Sequence, residues 1–317
     1  MPGMGDDTGT EPGAHDREGR DHAAQRIAAW AAQGHALAIG DDEVFVVDRP
    51  ADGPEVAPPL LVLHGYPTSS IDWDEVVPAL GADRRVVLLD LVGCGLSSKP
   101  DRAYSLFGQA DVVEAVAAEL GLGLVDLATH DMGDSVGGEL LARSLEGNLG
   151  FEVRRRVLTN GSIYLDLAQL TDGQKFLASL PDERIADDAA PDVDLLEAAL
   201  IATLAPAGSP ASDPAPAAVR AAAVLTARDR GNTLLARLIR YIAERREHEG
   251  RWTGAIESHP SPLTIVWGDL DPIAVWAMTD RLVERRPDAA RHRLEGVGHY
   301  PMVEAPEAFA EAARSGL

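Results

Sequence analysis

The stretch from Leu124 to Leu145 constrains this chain more than any other. Residues 124–128 (LVDLA) are mostly apolar and read as a short buried strand, residues 129–134 (THDMGD) as a tight turn of small and polar residues, and residues 135–145 as a helix. A strand that runs through a tight turn into a helix lifts one side chain above the sheet edge. The turn must follow the strand immediately, so the apex falls on Asp131, with Thr129 and Gly133 as its small neighbours. A second register competes: Gly133-Asp134-Ser135-Val136-Gly137 matches G-x-S-x-G literally. In that register Ser135 would be an esterase nucleophile. It lies about one turn into the predicted helix, where a small residue packs, and the strand register favours Asp131.

The rest of the chain repeats the strand–helix alternation. Apolar or half-apolar runs at 43–47, 58–64, 85–90, 154–159, 262–267 and 290–294 read as strands, and the run PPLLVLH at 58–64 has the composition of a strand buried on both faces. Helices are expected at 22–33, 70–80, 105–120, 272–285 and from about 306. Strands alternating with helices give an α/β fold with a mostly parallel central sheet and helices on both faces. Between 163 and 258 no strand-like run appears. Helical stretches at 194–204 and 231–248 flank an Ala/Pro/Ser/Asp-rich segment, 205–217. The expected organisation is a core of residues 22–162 and 259–317 with an inserted helical lid, 163–258. The first 21 residues are rich in Gly, Asp and Glu and nearly free of large apolar side chains, which predicts a disordered acidic tail.

Composition removes several function classes. Lys and Arg number 28 against 51 Asp and Glu, a net charge of −23. That field repels nucleic acid and anionic membrane and disfavours anionic substrates. The single cysteine, Cys94, excludes an internal disulfide and a cysteine zinc site, and reads as buried and inert. No metal or other cofactor is expected. No apolar run reaches the roughly 18 residues of a membrane span, and the N-terminal stretch lacks the apolar core of a signal peptide. A cytoplasmic location is therefore expected. The implied partners are a small-molecule substrate and water; the oligomeric state is not legible.

Three polar residues fall just past predicted strand ends, where open α/β sheets build their sites. They are Asp131, Asp271 and His299, in the chain order nucleophile, acid, histidine. Asp269 competes locally with Asp271. His64 closes an earlier strand and reads as shaping the loop that follows, and His130 as a packed core residue. Arg240, Arg245 and Arg246 read as a solvated helix face, and no arginine is adjacent to the elbow in sequence.

The motifs LHGYPTSSIDW, LDLVGCGLSSKP, THDMGD, GDLDPI and GVGHYPMVE together resemble an epoxide-hydrolase-like α/β-hydrolase, most closely the mesoderm-specific transcript branch. That branch shares the Gly-Asp after the elbow, the Thr-Ser-Ser-x-Asp-Trp run and an Asn-Gly like Asn160-Gly161. The resemblance covers about residues 40 to 315, loosely in the lobe between 165 and 250. It implies Asp131 as nucleophile, Asp271 as charge-relay acid, placed directly before Pro-Ile, His299 as base, and the backbone N–H groups of Tyr66 and Met132 as oxyanion hole. The implied reaction is hydrolysis of a small apolar substrate through an aspartyl ester, epoxide opening foremost. Opening an epoxide needs a proton donor, usually lid tyrosines in this family, and the lobe offers Tyr164 and Tyr241. Haloalkane dehalogenation is the alternative. Family members cradle the halide with a Trp after the nucleophile, a position held here by Met132; Tyr66 departs from their pattern as well. A fluoroacetate-type activity would need arginines around the elbow. A non-catalytic, ligand- or partner-binding member of the fold is the remaining reading.

Overall fold

The computed structural model describes residues 14–209 and 216–317. Eight strands form one sheet: β1 (Gly34–Ile39), β2 (Asp42–Arg49), β3 (Leu60–Leu63), β4 (Val86–Leu89), β5 (Leu124–His130), β6 (Glu152–Thr159), β7 (Leu263–Gly268) and β8 (Ala290–Leu294), in the order β1-β2-β4-β3-β5-β6-β7-β8. β2 runs antiparallel to β1 and β4; every later pairing is parallel. All residues of β3, β4 and β7 are buried, as their unbroken apolar runs require of strands covered on both faces. No described helix is long and apolar enough to cross a membrane.

β1 was not anticipated. It is an edge strand of sequence GHALAI, mostly exposed or half-buried, whose pattern carries little apolar signal. Its first residue must be glycine because a Cβ there would sit 2.3 Å from the Phe45 ring.

The N-terminal helix spans Ala14–Ala31, so residues 14–21 are helical where composition predicted disorder; residues 1–13 lie outside the described residues. Ala23, Ile27 and Trp30 recur at helical spacing and pack into the core, and the helix lies against the helix Pro216–Ala227. That burial stabilises a helix whose own composition would not. Trp30 Nε1 donates to Ser70 Oγ at 3.2 Å, fixing the helix to the core.

Between β6 and β7 the described residues hold helices and irregular chain and no strand: Asp172–Ser179, Val193–Ile201, Pro216–Ala227, a 3-10 turn at Arg228–Leu234, Leu235–Leu238 and Tyr241–Ser258. The last of these packs along the elbow helix Met132–Leu145. Part of the segment 205–217, expected as a loop, falls outside the described residues. Helix resumes at Pro216 because the Ala-rich stretch after it turns Val219, Ala222 and Leu225 into the core.

Candidate active site

Asp131, Asp271 and His299 all sit at the carboxyl edge of the sheet, just past β5, β7 and β8. Asp131 follows β5 directly, with φ 47° and ψ −111°, a backbone conformation that is costly for a residue with a Cβ and that turns its side chain up from the strand. Tight packing holds the turn in place. A Cβ on Gly133 would lie 2.6 Å from the Leu63 carbonyl oxygen and 2.8 Å from that of His64, so only glycine lets the elbow helix start this close to β3. A Cβ on Gly65 would meet Asp131 Cβ at 2.8 Å.

The Asp131 carboxylate faces the turn after β3. Its Oδ2 accepts from the Tyr66 backbone N–H at 2.9 Å. The turn itself is set by His64, whose Nε2 accepts from Leu91 N at 2.9 Å, so that Nδ1 carries the proton and donates to the Gly65 carbonyl at 2.7 Å. Met132 opens the elbow helix and is buried.

His299 and Asp271 meet across the edge: His299 Nδ1 lies 2.8 Å from Asp271 Oδ2. Both are buried. Asp271 is held from three sides. Its Oδ1 accepts from the backbone N–H groups of Ile273 (2.7 Å) and Ala274 (3.0 Å), and its Oδ2 from Asn160 Nδ2 at 2.7 Å. Asp269 is used elsewhere, accepting from Arg293 and from Gly296 N. Burial by itself would depress the His299 imidazole. The Asp271 charge and hydrogen bond, with the Asp131 carboxylate, outweigh burial and lift it to about 9. The resting histidine is therefore an imidazolium at neutral pH.

His130 packs beneath, its ring 5.0 Å from that of His299, and its Nε2 donates to the His299 carbonyl at 2.8 Å. Its Nδ1 is buried without a partner, and burial, then the His299 charge, push the ring down to about 4. It stays neutral and structural.

The two expected proton donors separate. Tyr164 donates to Glu257 Oε1 at 2.8 Å, under the Arg281 guanidinium, and does not line the cavity above His299. Tyr241 lies against the Tyr66 ring, centroids 5.4 Å apart, and faces a small space shared with Met132 and Leu238. Arg245 differs most from its expected place. Instead of a solvated face it is 5% exposed and inserted behind the elbow. Nε donates to Ser135 Oγ at 2.7 Å, Nη1 to the Ser162 carbonyl at 3.3 Å and Nη2 to the Asp131 carbonyl at 3.5 Å, and the guanidinium stacks 5.0 Å from the Tyr241 ring. Tyr241 and Arg245 are four residues apart on one helix, so the face that turns the tyrosine inward carries the arginine with it. Its donors are committed to these groups, and it does not line the cavity.

Asp134 is a buried acid. The Thr129 hydroxyl donates to one carboxyl oxygen; the other, against Gly161, has no partner. Burial pushes this carboxyl well above the usual range, so it is held neutral. Cys94 is likewise buried, its thiol pushed up to about 12 by burial.

Above His299 lies a cleft with about 610 Å³ of empty volume, part of it open to solvent, between the sheet edge and the inserted helices. Its wall is mostly apolar, with Leu177, Leu196, Leu200, Leu235 and Ile273; Tyr66, His299 and Tyr300 stand at its floor. Sequence reasoning missed Tyr300, the residue after the histidine, and Glu304. The Glu304 carboxylate accepts from Gly298 N (2.9 Å), Tyr300 N (2.9 Å) and Ala205 N (2.8 Å), pinning the histidine loop to the inserted segment.

The sheet order, the acidic apex and the histidine pair define a hydrolase of the α/β-hydrolase fold, and the chain belongs to that family, which matches residues 58–306. Among its relatives is LipZ from Mycobacterium tuberculosis, 41% identical over 290 residues that cover 91% of this chain and 97% of that protein. The mesoderm-specific transcript homolog protein of Bos taurus is 29% identical over 90% of this chain and 86% of its own length. In three dimensions the chain is similar to haloalkane dehalogenase DbeA from Bradyrhizobium elkani, with TM-score 0.70 and 21% identity over 89% of this chain and 96% of that one, a likeness of fold alone.

Proposed function

We propose that this hydrolase opens a small, uncharged, apolar epoxide to a diol through an ester on Asp131. The observation that carries the reading is the Asp131 carboxylate on its positive-φ apex, one oxygen 2.9 Å from the Tyr66 N–H, at the same sheet edge as the His299–Asp271 pair. A carboxylate displaces at a strained sp³ carbon, forming the Asp131–carbon bond as the ring C–O bond breaks, and a phenol protonates the departing oxygen. Water then gives a proton to His299 and adds to the Asp131 carbonyl carbon. The N–H groups of Tyr66 and Met132 hold the oxyanion until it collapses, releases the diol and restores the carboxylate. Asp271 orients the imidazole and stabilises its protonated form. Electrostatics times the steps. Esterification removes the Asp131 charge, one of the influences that keep His299 protonated, so the imidazolium gives its proton to solvent and is free to act as the base when water attacks. In this reading the helices over the cleft act as a lid that excludes bulk water.

Two observations weigh epoxides above halides. No tryptophan lines the cleft, and the Asn160 amide is occupied by Asp271 and by Gly268 N, so the expected halide donors are missing from the floor. Ser135 accepts from Arg245 one turn into the helix, which fits a packing role better than a nucleophile. To test the reading, the His299→Gln protein is incubated with epoxides, haloalkanes and p-nitrophenyl esters, and its tryptic peptides are weighed. An adduct from an epoxide on the Asp131 peptide supports it. An adduct on Ser135, or one from haloalkanes alone, overturns it.

A further inference from the structure

Epoxide opening leaves an oxygen that must be protonated, and the chain has five tyrosines to do it. Tyr104 donates to the Pro100 carbonyl at 2.6 Å and Tyr164 to Glu257, while Tyr241 stands behind Tyr66 beside a separate small space. Only Tyr66 and Tyr300 share the cleft with His299. The Tyr66 hydroxyl has one long contact, 3.5 Å to the Leu235 carbonyl, an acceptor that cannot resupply a proton.

Tyr300 is differently connected. Its backbone is fixed by Glu304 and its ring sits edge-on to His299, centroids 5.0 Å apart. Behind it a second, much smaller space, partly open to solvent, shares Tyr300 and Leu200 with the substrate cleft and reaches Thr68 and Asp72. The Tyr300 phenol lies beside the Thr68 side chain, and Thr68 Oγ1 donates to Asp72 Oδ2 at 2.5 Å. A buried carboxyl group, a hydroxyl and a phenol thus run in series from the second space to the cleft.

Resting on the reading of Asp131 as the epoxide nucleophile, we propose that Tyr300 is the acid that protonates the opening epoxide oxygen, and that Asp72 resupplies it through Thr68. Asp72 is suited to the task. Burial first, then the charges of Asp74 and Asp90, raise its carboxyl to about 7 against the Thr68 hydrogen bond and the Arg26 charge, so it holds a proton that it can give up at neutral pH. The other charged groups on elements packed around it are already engaged: Arg220 of the helix Pro216–Ala227 pairs with Asp194 and Glu197, and Glu304 accepts three backbone N–H groups. The protons balance. The alkoxide takes one from Tyr300, Tyr300 takes the Thr68 hydroxyl proton as that hydroxyl turns from Asp72, Thr68 takes one from protonated Asp72, and Asp72 recovers one from solvent, matched by the proton that His299 releases to solvent when Asp131 is esterified and regains from the attacking water.

The experiment uses His299→Gln protein, in which the ester accumulates, and follows the rate of its formation by intact mass with 1,2-epoxyhexane and with 1-iodohexane. Iodide leaves as the anion and needs no acid. Adding Tyr300→Phe, which keeps the ring, is expected to slow ester formation from the epoxide by roughly 100-fold or more and to leave the iodide reaction nearly unchanged. Asp72→Asn and Thr68→Val are each expected to remove the inflection near pH 7 from the epoxide rate and to leave the iodide rate flat. Equal slowing of both probes by Tyr300→Phe would show a structural role only and overturn the proposal, as would no slowing of either. Strong slowing by Tyr66→Phe alone would assign the acid to Tyr66 instead. If the inflection survives in both relay variants, the Asp72 supply is refuted. Absence of an epoxide ester in the His299→Gln parent would sink the Asp131 reading itself, a result distinct from all the others.

Discussion

Replacing His299 with Gln should change how the protein's stability depends on pH, by an amount the site geometry sets. In the fold the imidazole is lifted to about 9 by Asp271 and Asp131 against burial; in the unfolded chain it titrates near 6.5. The difference of about 2.5 units, at 1.36 kcal/mol each, is about 3 kcal/mol. The group is almost fully buried, so solvent screening removes little of it. Because the folded pKa is the higher one, the contribution is complete below pH 6.5 and is lost as pH rises through 9. Urea unfolding followed by tryptophan fluorescence at pH 6.0, 7.5 and 9.5 reads this directly. The wild type should exceed the variant by a margin that shrinks by about 3 kcal/mol between the lowest and highest pH. Titrations away from the site are common to both proteins and cancel, while His130 and Glu304, which feel the His299 charge, shift with its removal. A margin that stays constant, or grows with pH, would refute the claim that the resting histidine is held as an imidazolium. Asp271→Asn supplies the complementary arm: without that charge burial dominates, and the His299 resonances in NMR should titrate below 6.5.

Three further outcomes follow from the packing around the elbow. Gly133→Ala forces a Cβ against two strand carbonyls and should cost about 1–3 kcal/mol, read as a lower urea midpoint. Asp134→Asn replaces a carboxyl that the fold keeps neutral; since its pKa is raised in the fold, the wild type loses stability as pH climbs above the unfolded value near 4, so the variant should match it in acid and exceed it at pH 8. Ser135→Ala removes the acceptor for Arg245 Nε and should cost about 1.5–3 kcal/mol of stability while leaving turnover in place; a loss of activity of roughly 10⁴-fold or more would restore the serine register.

The sheet was legible because strands buried on both faces write themselves as unbroken apolar runs, and β3, β4 and β7 do so. β1, an edge strand with Gly34 beneath the Phe45 ring, carries no such run and was missed. Positions at strand ends were legible too: Asp131, Asp271 and His299 converge on one sheet edge from three separate strand ends. What could not be read was the direction of side chains on the inserted helices. Arg245 looks like part of a charged face until the neighbouring Tyr241 fixes which side of the helix turns inward. Tyr164 and Tyr300 show the same limit from opposite sides. One is in the inserted lobe yet turns to Glu257; the other stands beside the histidine in sequence and joins two cavities that exist only after folding.

The central claim, an ester on Asp131, is tested most directly by a single turnover in H2-18O with enzyme in excess over 1,2-epoxyhexane. Water that attacks the Asp131 carbonyl leaves its oxygen in the protein, and the diol carries away an unlabelled oxygen from the carboxylate. The account predicts an unlabelled diol and one 18O in the peptide containing Asp131. Label in the diol from the first turnover, with none in that peptide, would mean that water attacks the epoxide itself and would contradict the account.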